Sequence, residues 1–385
     1  MRLFVVGHSY VTAFAQAKYA AMKRLHPDLA LRIIIPADVH HVFGRHRAEL
    51  AEGLTEDEVV IVRRIAGRSH MTYVFDPVGL ARAMRAFGPT HVHIEEDPHS
   101  LVGAQAVATR RTCAPQARMS FFIWDNLART PGFPLNLVKR GLTKLGFSAT
   151  TLVVCGNREA QRLLPAKGYA GASCVLPQLG LTVPPPVSDK ERHQLRERLL
   201  GEPTTDVLIG FVGRFVPEKG IQTLLESVQL LRPDGWRLVL VGDGPMKAAI
   251  GAGWQARLGE RLVVLNAVPH GEVAAILAAL DVFVLPSHDT PTWKEQFGVT
   301  LAQAMLAGLA CVGSDAGAIA EVMGDTGVVV RPQDCRALAE AIQAFVDSGG
   351  RRRHFGQRAR ERALQRFTNE AVAAAQFDAL ASVTA

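Results

Sequence analysis

Residues 207–220 read VLIGFVGRFVPEKG. The first six are apolar apart from one glycine. A run of that kind suits a strand covered on both faces, as in a parallel sheet. Gly213 breaks the run, and a loop follows that carries Arg214 and Lys219 with four residues between them. After Gly220, apolar residues recur at Ile221, Leu224, Leu225, Val228 and Leu231, one face of a helix, and Pro233 and Gly235 end it. Strand, loop and helix in that order form the repeating unit of an α/β domain, whose ligands bind at the carboxyl ends of the strands.

The alternation extends in both directions. Upstream, short apolar runs fall at 3–6, 31–35, 59–62, 91–94, 119–123 and 152–154; downstream they fall at 238–241, 262–265, 282–285, 310–312 and 328–330. With 385 residues the chain is too long for one core, so two domains are expected. The division falls at a stiff Pro184-Pro185-Pro186 segment followed by the charged DKERHQLRERLLGE. This predicts a first domain over 1–185, a linker over 186–205 and a second domain over 206–367. A helical tail at 368–385 is expected to pack back on the first domain. The basic stretch at 351–366 reads as a solvated helix face.

Composition narrows the class. Hydrophobic residues make up 48% and charged residues 21%, which suits a folded soluble protein. Charges, glycines or prolines interrupt every apolar run, so no membrane-spanning helix is expected. The opening MRLFVVGHSYVTAF reads as a buried strand, not a signal peptide. Five cysteines lack metal or CxxC spacing, which predicts reduced thiols in a cytoplasmic protein. The net charge of +7 suits acidic partners: nucleotides, phosphorylated lipids or the inner face of an anionic membrane. Aromatics are only 6% and there is no zinc-finger spacing or RNP motif, so no nucleic-acid partner is expected.

Two cations in one loop can grip a diphosphate from two sides, Arg214 as a planar fork and Lys219 as a point charge. A second loop, HDTPTWKEQFG at 288–298, follows another strand and opens a helix that closes at Gly308. Without a side chain, Gly298 lets its backbone N–H approach a phosphate at the positive helix end. Glu295 stands just before that end and can accept hydrogen bonds from sugar hydroxyls. Gln303 lies eight positions on, roughly on the same helix face. Gly242-Asp243-Gly244 and Pro269-His270-Gly271 follow two further strands and are weaker ligand-loop candidates.

The paired motifs resemble the retaining family-4 glycosyltransferases (glycosyl transferases group 1) of the GT-B fold. That family carries an Arg–x4–Lys loop and a Glu–x7–Glu helix start in its C-terminal lobe. The likeness is strong over 207–330, where QFGVTLAQAMLAGLACVGSDAGAIAEVM and VLVGDGP also fit. It implies two Rossmann-like lobes facing across an inter-domain cleft. It implies transfer of a hexose-type sugar from a UDP- or GDP-type donor to an acceptor hydroxyl, in cell-surface polysaccharide or glycolipid assembly. A nucleotide-sugar epimerase and transfer to a soluble small molecule are the alternatives. By the same resemblance Arg214 and Lys219 hold the diphosphate, Glu295 meets the donor sugar, and Phe297, Gly298 and Val299 lie along sugar and phosphate; Gly213 and Gly242, each closing a strand, are added to the donor-binding set. Gln303 departs from the pattern, which has a ribose-binding glutamate there. An amide has one acceptor and one donor group in place of a carboxylate. The nucleotide sugar is then a co-substrate, and no metal or obligatory cofactor is expected, since Asp-x-Asp is absent.

In the first domain the loops after strands again hold the candidates. Gly7-His8-Ser9 closes the first run, HVHIEEDPHS spans 91–100, and FFIWDN spans 121–126. His8, Ser9, Glu95, Trp124 and Asp125 are assigned to the acceptor side, with Asp125 orienting a hydroxyl and Glu96 and His99 as second choices. His91 and His93 alternate with Val92 and Ile94 along a strand and read as structural.

Overall fold

The structure is a computed structural model that describes all residues except 42–43, 68, 70, 129–133 and 384–385. The chain divides into two compact units, Met1–Leu181 with Phe367–Ala385, and Thr182–Arg366.

The first unit is built on a seven-stranded parallel sheet. Its strands are β1 (Arg2–Val6), β2 (Ala30–Ile35), β3 (Val59–Ile61), β4 (His91–Ile94), β5 (Arg118–Ile123), β6 (Leu152–Cys155) and β7 (Ala172–Val175), in the order β7-β6-β5-β4-β1-β2-β3. Alternate residues serve opposite faces. Leu3 and Val5 pack with Tyr19, Met22 and Leu380 on one side; Phe4 and Val6 pack with Leu80, Met84, Val102 and Val107 on the other. β7 was not expected from sequence. Its four residues ASCV sit at the sheet edge and are at most half-buried, so they lack the apolar signature. Two short antiparallel ladders, Asp38–His41 with Gly44–Arg47 and Arg64–Ala66 with Val74–Phe75, were not anticipated either.

The terminal helix Asn369–Ser382 completes this unit. Thr368 caps it by accepting from the Ala371 amide. Leu181 N donates to Phe367 O (2.8 Å) and Asn369 N to Leu181 O (3.0 Å), which stitches the returning chain to the departing one. The helix then lies on Ala13–Leu25, where His26 stacks on Phe377 and Arg24 pairs with Glu370.

The second unit holds β8 (Val207–Val212), β9 (Trp236–Val241), β10 (Leu262–Leu265), β11 (Val282–Leu285), β12 (Ala310–Ser314) and β13 (Val328–Val330), all parallel, in the order β10-β9-β8-β11-β12-β13. Both sheets therefore share one Rossmann pattern: the chain builds outward to one edge, returns to the middle, and builds to the other.

Two readings are corrected here. The charged stretch expected as a linker contains the helix Asp189–Leu200, which belongs to the second unit. Arg192 and Arg196, one turn apart, both pair with Asp281, and Asp281 also accepts from the Leu208 amide at the start of β8. The basic helix Gly349–Arg366 is not simply a solvated face. Arg352 donates to Phe345 O and Val346 O, Arg360 to Leu306 O, and Arg362 to Glu321 O and Val322 O. Each set of carbonyls ends another helix. Such ends lack intrahelical donors and carry partial negative charge, which guanidinium groups neutralise.

Candidate active site

In an open α/β sheet the crevice lies where the strand order reverses. In the second unit that point is between β8 and β11, the neighbours whose connections run to opposite edges. The Arg214–Lys219 loop leaves β8 and the Glu295–Gly298 loop leaves β11, so the two motifs converge there. Lys219 Nζ donates to Glu295 Oε2 at 2.5 Å and lies 5.0 Å from the Trp293 ring centroid. Glu295 is 7% exposed and also accepts from Ser287 Oγ at 3.4 Å. Arg214 is half-buried and makes no ion pair with any described residue. One site thus holds a paired cation and carboxylate with a further cation from the same loop.

The loops are locked by close backbone approaches. Gly220 has φ +71°, and a Cβ there would stand 1.9 Å from Pro286 O. His288 N donates to Glu218 O at 2.9 Å. Gly242 comes so near Gly213 that a Cβ would meet its carbonyl oxygen at 1.9 Å, and Phe215 N donates to Asp243 O at 2.8 Å. The loop after β12 clamps the other side, where Ala318 N donates to Glu295 O at 2.9 Å. Gly298, at φ +80°, starts the helix Val299–Leu306, while Phe297 is buried behind it. On that helix Gln303 Nε2 meets His270 Nε2 at 3.4 Å. His270 is exposed at the surface, and partial desolvation of its ring lowers its pKa.

In the first unit the order reverses between β1 and β4. After β1, the His8 amide donates to Glu96 Oε1 at 2.8 Å, the His8 ring bonds the same oxygen, and Tyr73 OH donates to it at 2.9 Å. Burial alone would lower the His8 pKa, but the charge and hydrogen bond of Glu96 outweigh it and raise it. Ser9 lies beside His8, half-buried.

Glu95, assigned from sequence to the acceptor side, sits within a buried polar cluster. It is 2% exposed and accepts from Lys18 Nζ (2.7 Å), Tyr19 OH (2.8 Å) and Gln178 Nε2 (3.1 Å). Strand parity explains the split. Glu95 continues the face of His93 toward the helix Ala13–Leu25, and Glu96 turns the other way to Tyr73. His93 bonds Ser120 and Gln376, and His91 is a neutral core ring whose pKa falls to about 4 through burial and nearby positive charge. Trp124 reaches the Glu95 cluster indirectly, since its Nε1 donates to Gln178 Oε1 at 2.7 Å.

Asp125 lies elsewhere, on a cavity of about 890 Å³ within this unit. It accepts from Lys167 Nζ at 3.0 Å, with Lys139 Nζ at 3.9 Å. Burial opposes ionisation, but Lys167 and Lys139 hold its pKa below the ordinary value. Asp97, Lys144 and His99 share the cavity. Asp97, Lys139 and Lys167 were not singled out from sequence. Asp97 stood within the quoted HVHIEEDPHS, but the two lysines carry no local signal.

Asp97 Oδ1 is buried without a hydrogen-bond partner, and burial together with the Asp125 charge pushes its pKa up to about 7. The folded chain therefore holds this proton more tightly than the unfolded one. The stabilising contribution is full below the unfolded value near 4 and is lost as pH rises through about 7. Asp97→Asn is expected to raise Tm relative to the parent near pH 8 and leave it unchanged near pH 4. Thermal unfolding at both pH values reads the difference, and equal shifts at the two would refute it.

Among the described residues no group of three or more His, Cys, Asp and Glu is arranged to hold a metal, and no helix is long and apolar enough to cross a membrane.

Residues 194–362 match the family model described as Glycosyl transferases group 1. The chain is 31% identical over 159 residues to a putative teichuronic acid biosynthesis glycosyltransferase of Bacillus subtilis, covering 41% of this chain and 37% of that protein. It is 32% identical over 210 residues to the D-inositol 3-phosphate glycosyltransferase of Xylanimonas cellulosilytica, covering 53% and 48%. The chain thus spans less than half the length of these curated relatives. Among solved structures, Anabaena HepE in complex with UDP superposes with a TM-score of 0.74 at 17% identity, over 99% of this chain and 100% of that one. The sucrose-phosphate synthase of Thermosynechococcus elongatus gives 0.68 at 18% identity, over 100% and 99%. The chain has the GT-B fold of two Rossmann-like α/β lobes, and its residues 194–362 are related to the glycosyl transferases of group 1.

Proposed function

We propose that this protein is a retaining glycosyltransferase that moves a hexose from a nucleotide diphosphate to an acceptor hydroxyl in polysaccharide or glycolipid assembly. The observation that carries the reading is the Lys219–Glu295 pair beside Arg214 at the strand reversal of the second unit. Arg214 and Lys219 hold the diphosphate. As the bond from sugar to phosphate breaks, negative charge grows on the leaving oxygen, and cations already in place stabilise it most at that moment. Glu295 exchanges part of its contact with Lys219 for a sugar hydroxyl. Gly298 offers its amide to a phosphate. Gln303, beside His270, contacts the ribose. Retention follows if the acceptor attacks the face that the leaving phosphate vacates and that phosphate takes the acceptor proton.

UDP is the first nucleotide to try, because HepE was solved with it. A panel of UDP- and GDP-sugars, scored by donor hydrolysis and thermal shift, tests the reading. A donor at about a hundred times its Kd should add about 2.7 kcal/mol of stability. No shift and no turnover with any member would overturn the proposal, and interconversion of the sugar nucleotide without acceptor would make the protein an epimerase.

A further inference from the structure

A second cavity of about 890 Å³ lies in the second unit, at the amino-terminal ends of β8, β11 and β12. The Arg214–Glu295 site is at the carboxyl ends, so the two occupy opposite ends of one sheet. One wall is apolar, formed by Pro184–Pro186 and the small residues Ala274, Ala275 and Ala278. Four arginines, Arg192, Arg352, Arg353 and Arg360, face a single carboxylate there, Asp281. That carboxylate is already engaged by Arg192, Arg196 and the Leu208 amide.

Three of these guanidinium groups are fixed on one edge by the protein. Arg192 donates to Leu280 O (2.5 Å) and Asp281 Oδ1 (2.8 Å), Arg352 to Phe345 O and Val346 O, and Arg360 to Leu306 O. A guanidinium has five N–H donors in a rigid plane, so each keeps donors to spare. Arg353 is exposed and makes no ion pair with any described residue. Side chains held in advance lose little freedom when an anion arrives, and charged forks form the stronger hydrogen bonds.

We propose that this cavity binds a phosphate monoester of a small organic molecule, with the phosphate on the arginines and the organic part on the proline–alanine wall. Its volume falls in the range of small-molecule sites. No wall is shared with the Arg214–Glu295 site. Arg360, however, also holds Leu306 O, in the last turn of the helix that carries Gln303.

The test is calorimetric titration of the full chain with two probes, glycerol 3-phosphate and soluble dihexanoyl phosphatidic acid. It is run on the parent and on Arg214→Ala/Lys219→Ala, which disables the other phosphate-attracting site. Saturable binding is expected in both proteins. Arg353→Glu, which reverses an exposed charge, and Ala275→Trp, which fills an exposed part of the wall, should each raise Kd about tenfold or more, equivalent to about 1.4 kcal/mol. Binding of glycerol 3-phosphate assigns a soluble monoester; binding of the diacyl probe alone assigns a lipid headgroup. Absence of saturable binding by both probes, or binding unchanged in both Arg353→Glu and Ala275→Trp, overturns the proposal. Because binding is read without turnover, this result stands apart from the transferase reading.

Discussion

Arg214→Ala and Lys219→Ala are each expected to lower turnover on the order of a hundredfold or more, the usual loss when one fixed donor to a developing oxyanion is removed. Their effects on the fold should differ. Arg214 makes no ion pair among the described residues, so its removal should leave Tm near that of the parent. Lys219 is the cation on Glu295, which is 7% exposed, and its loss takes the paired charge from a nearly buried carboxylate. Lys219→Ala should therefore lose stability as well as turnover, by about 1–3 kcal/mol, the usual cost of removing a charged hydrogen-bond donor from a nearly buried group. Initial rates on the best donor of the panel, with thermal unfolding of the same samples, separate the two outcomes. Near-normal turnover in either variant would remove these cations from the reaction.

The largest loss of stability is expected in the first unit, at Lys18. Its ammonium is 1% exposed and lies 2.7 Å from Glu95 Oε1. Burial would push the Glu95 carboxyl up, but Lys18 and then His93 hold it below the ordinary carboxylate range. Lys18→Met leaves that charge in the core without its main counter-ion, which typically costs about 3–5 kcal/mol. The double change Lys18→Met/Glu95→Gln removes both charges and should recover most of the loss, because an uncharged pair has far less to desolvate. Urea unfolding of the three variants measures this. A single-variant loss below about 1 kcal/mol would mean that water reaches the pair.

These residues mark what could be read from sequence. Arg214, Lys219 and Glu295 were legible because each sits in a short loop directly after an apolar strand, and local order alone brings such loops to one end of a sheet. Lys18 was not. It lies on a helix beside Tyr19 and Ala20, and nothing nearby says that its ammonium will meet a carboxylate 77 residues later. Glu95 and Glu96 looked alike, and only the continuation of strand parity past Ile94 sends one to the core and the other to His8. The strands themselves were visible wherever both faces are covered, and β7 was hidden because its edge position demands no apolar run. Arg192 and Arg196 read as part of a linker, and the arginines of 351–366 as a solvated helix face. Their role depends on which helix ends and which aspartate the fold places beside them.

The interrupted path of the first unit also bears on how the protein is made. The chain leaves that unit after Leu181 and rejoins it only at Phe367. On the ribosome, the second unit is complete before the last helix emerges. Until then the side of the helix Ala13–Leu25 that will receive Ala373, Phe377 and Leu380 stays open to water, and to chaperones that recognise such surfaces. A chain stopped at Arg366 would carry a finished second unit and an unfinished first one, a contrast that limited proteolysis reads directly. Closure of the first unit thus waits on the second, and it reports that translation has run through Thr182–Arg366.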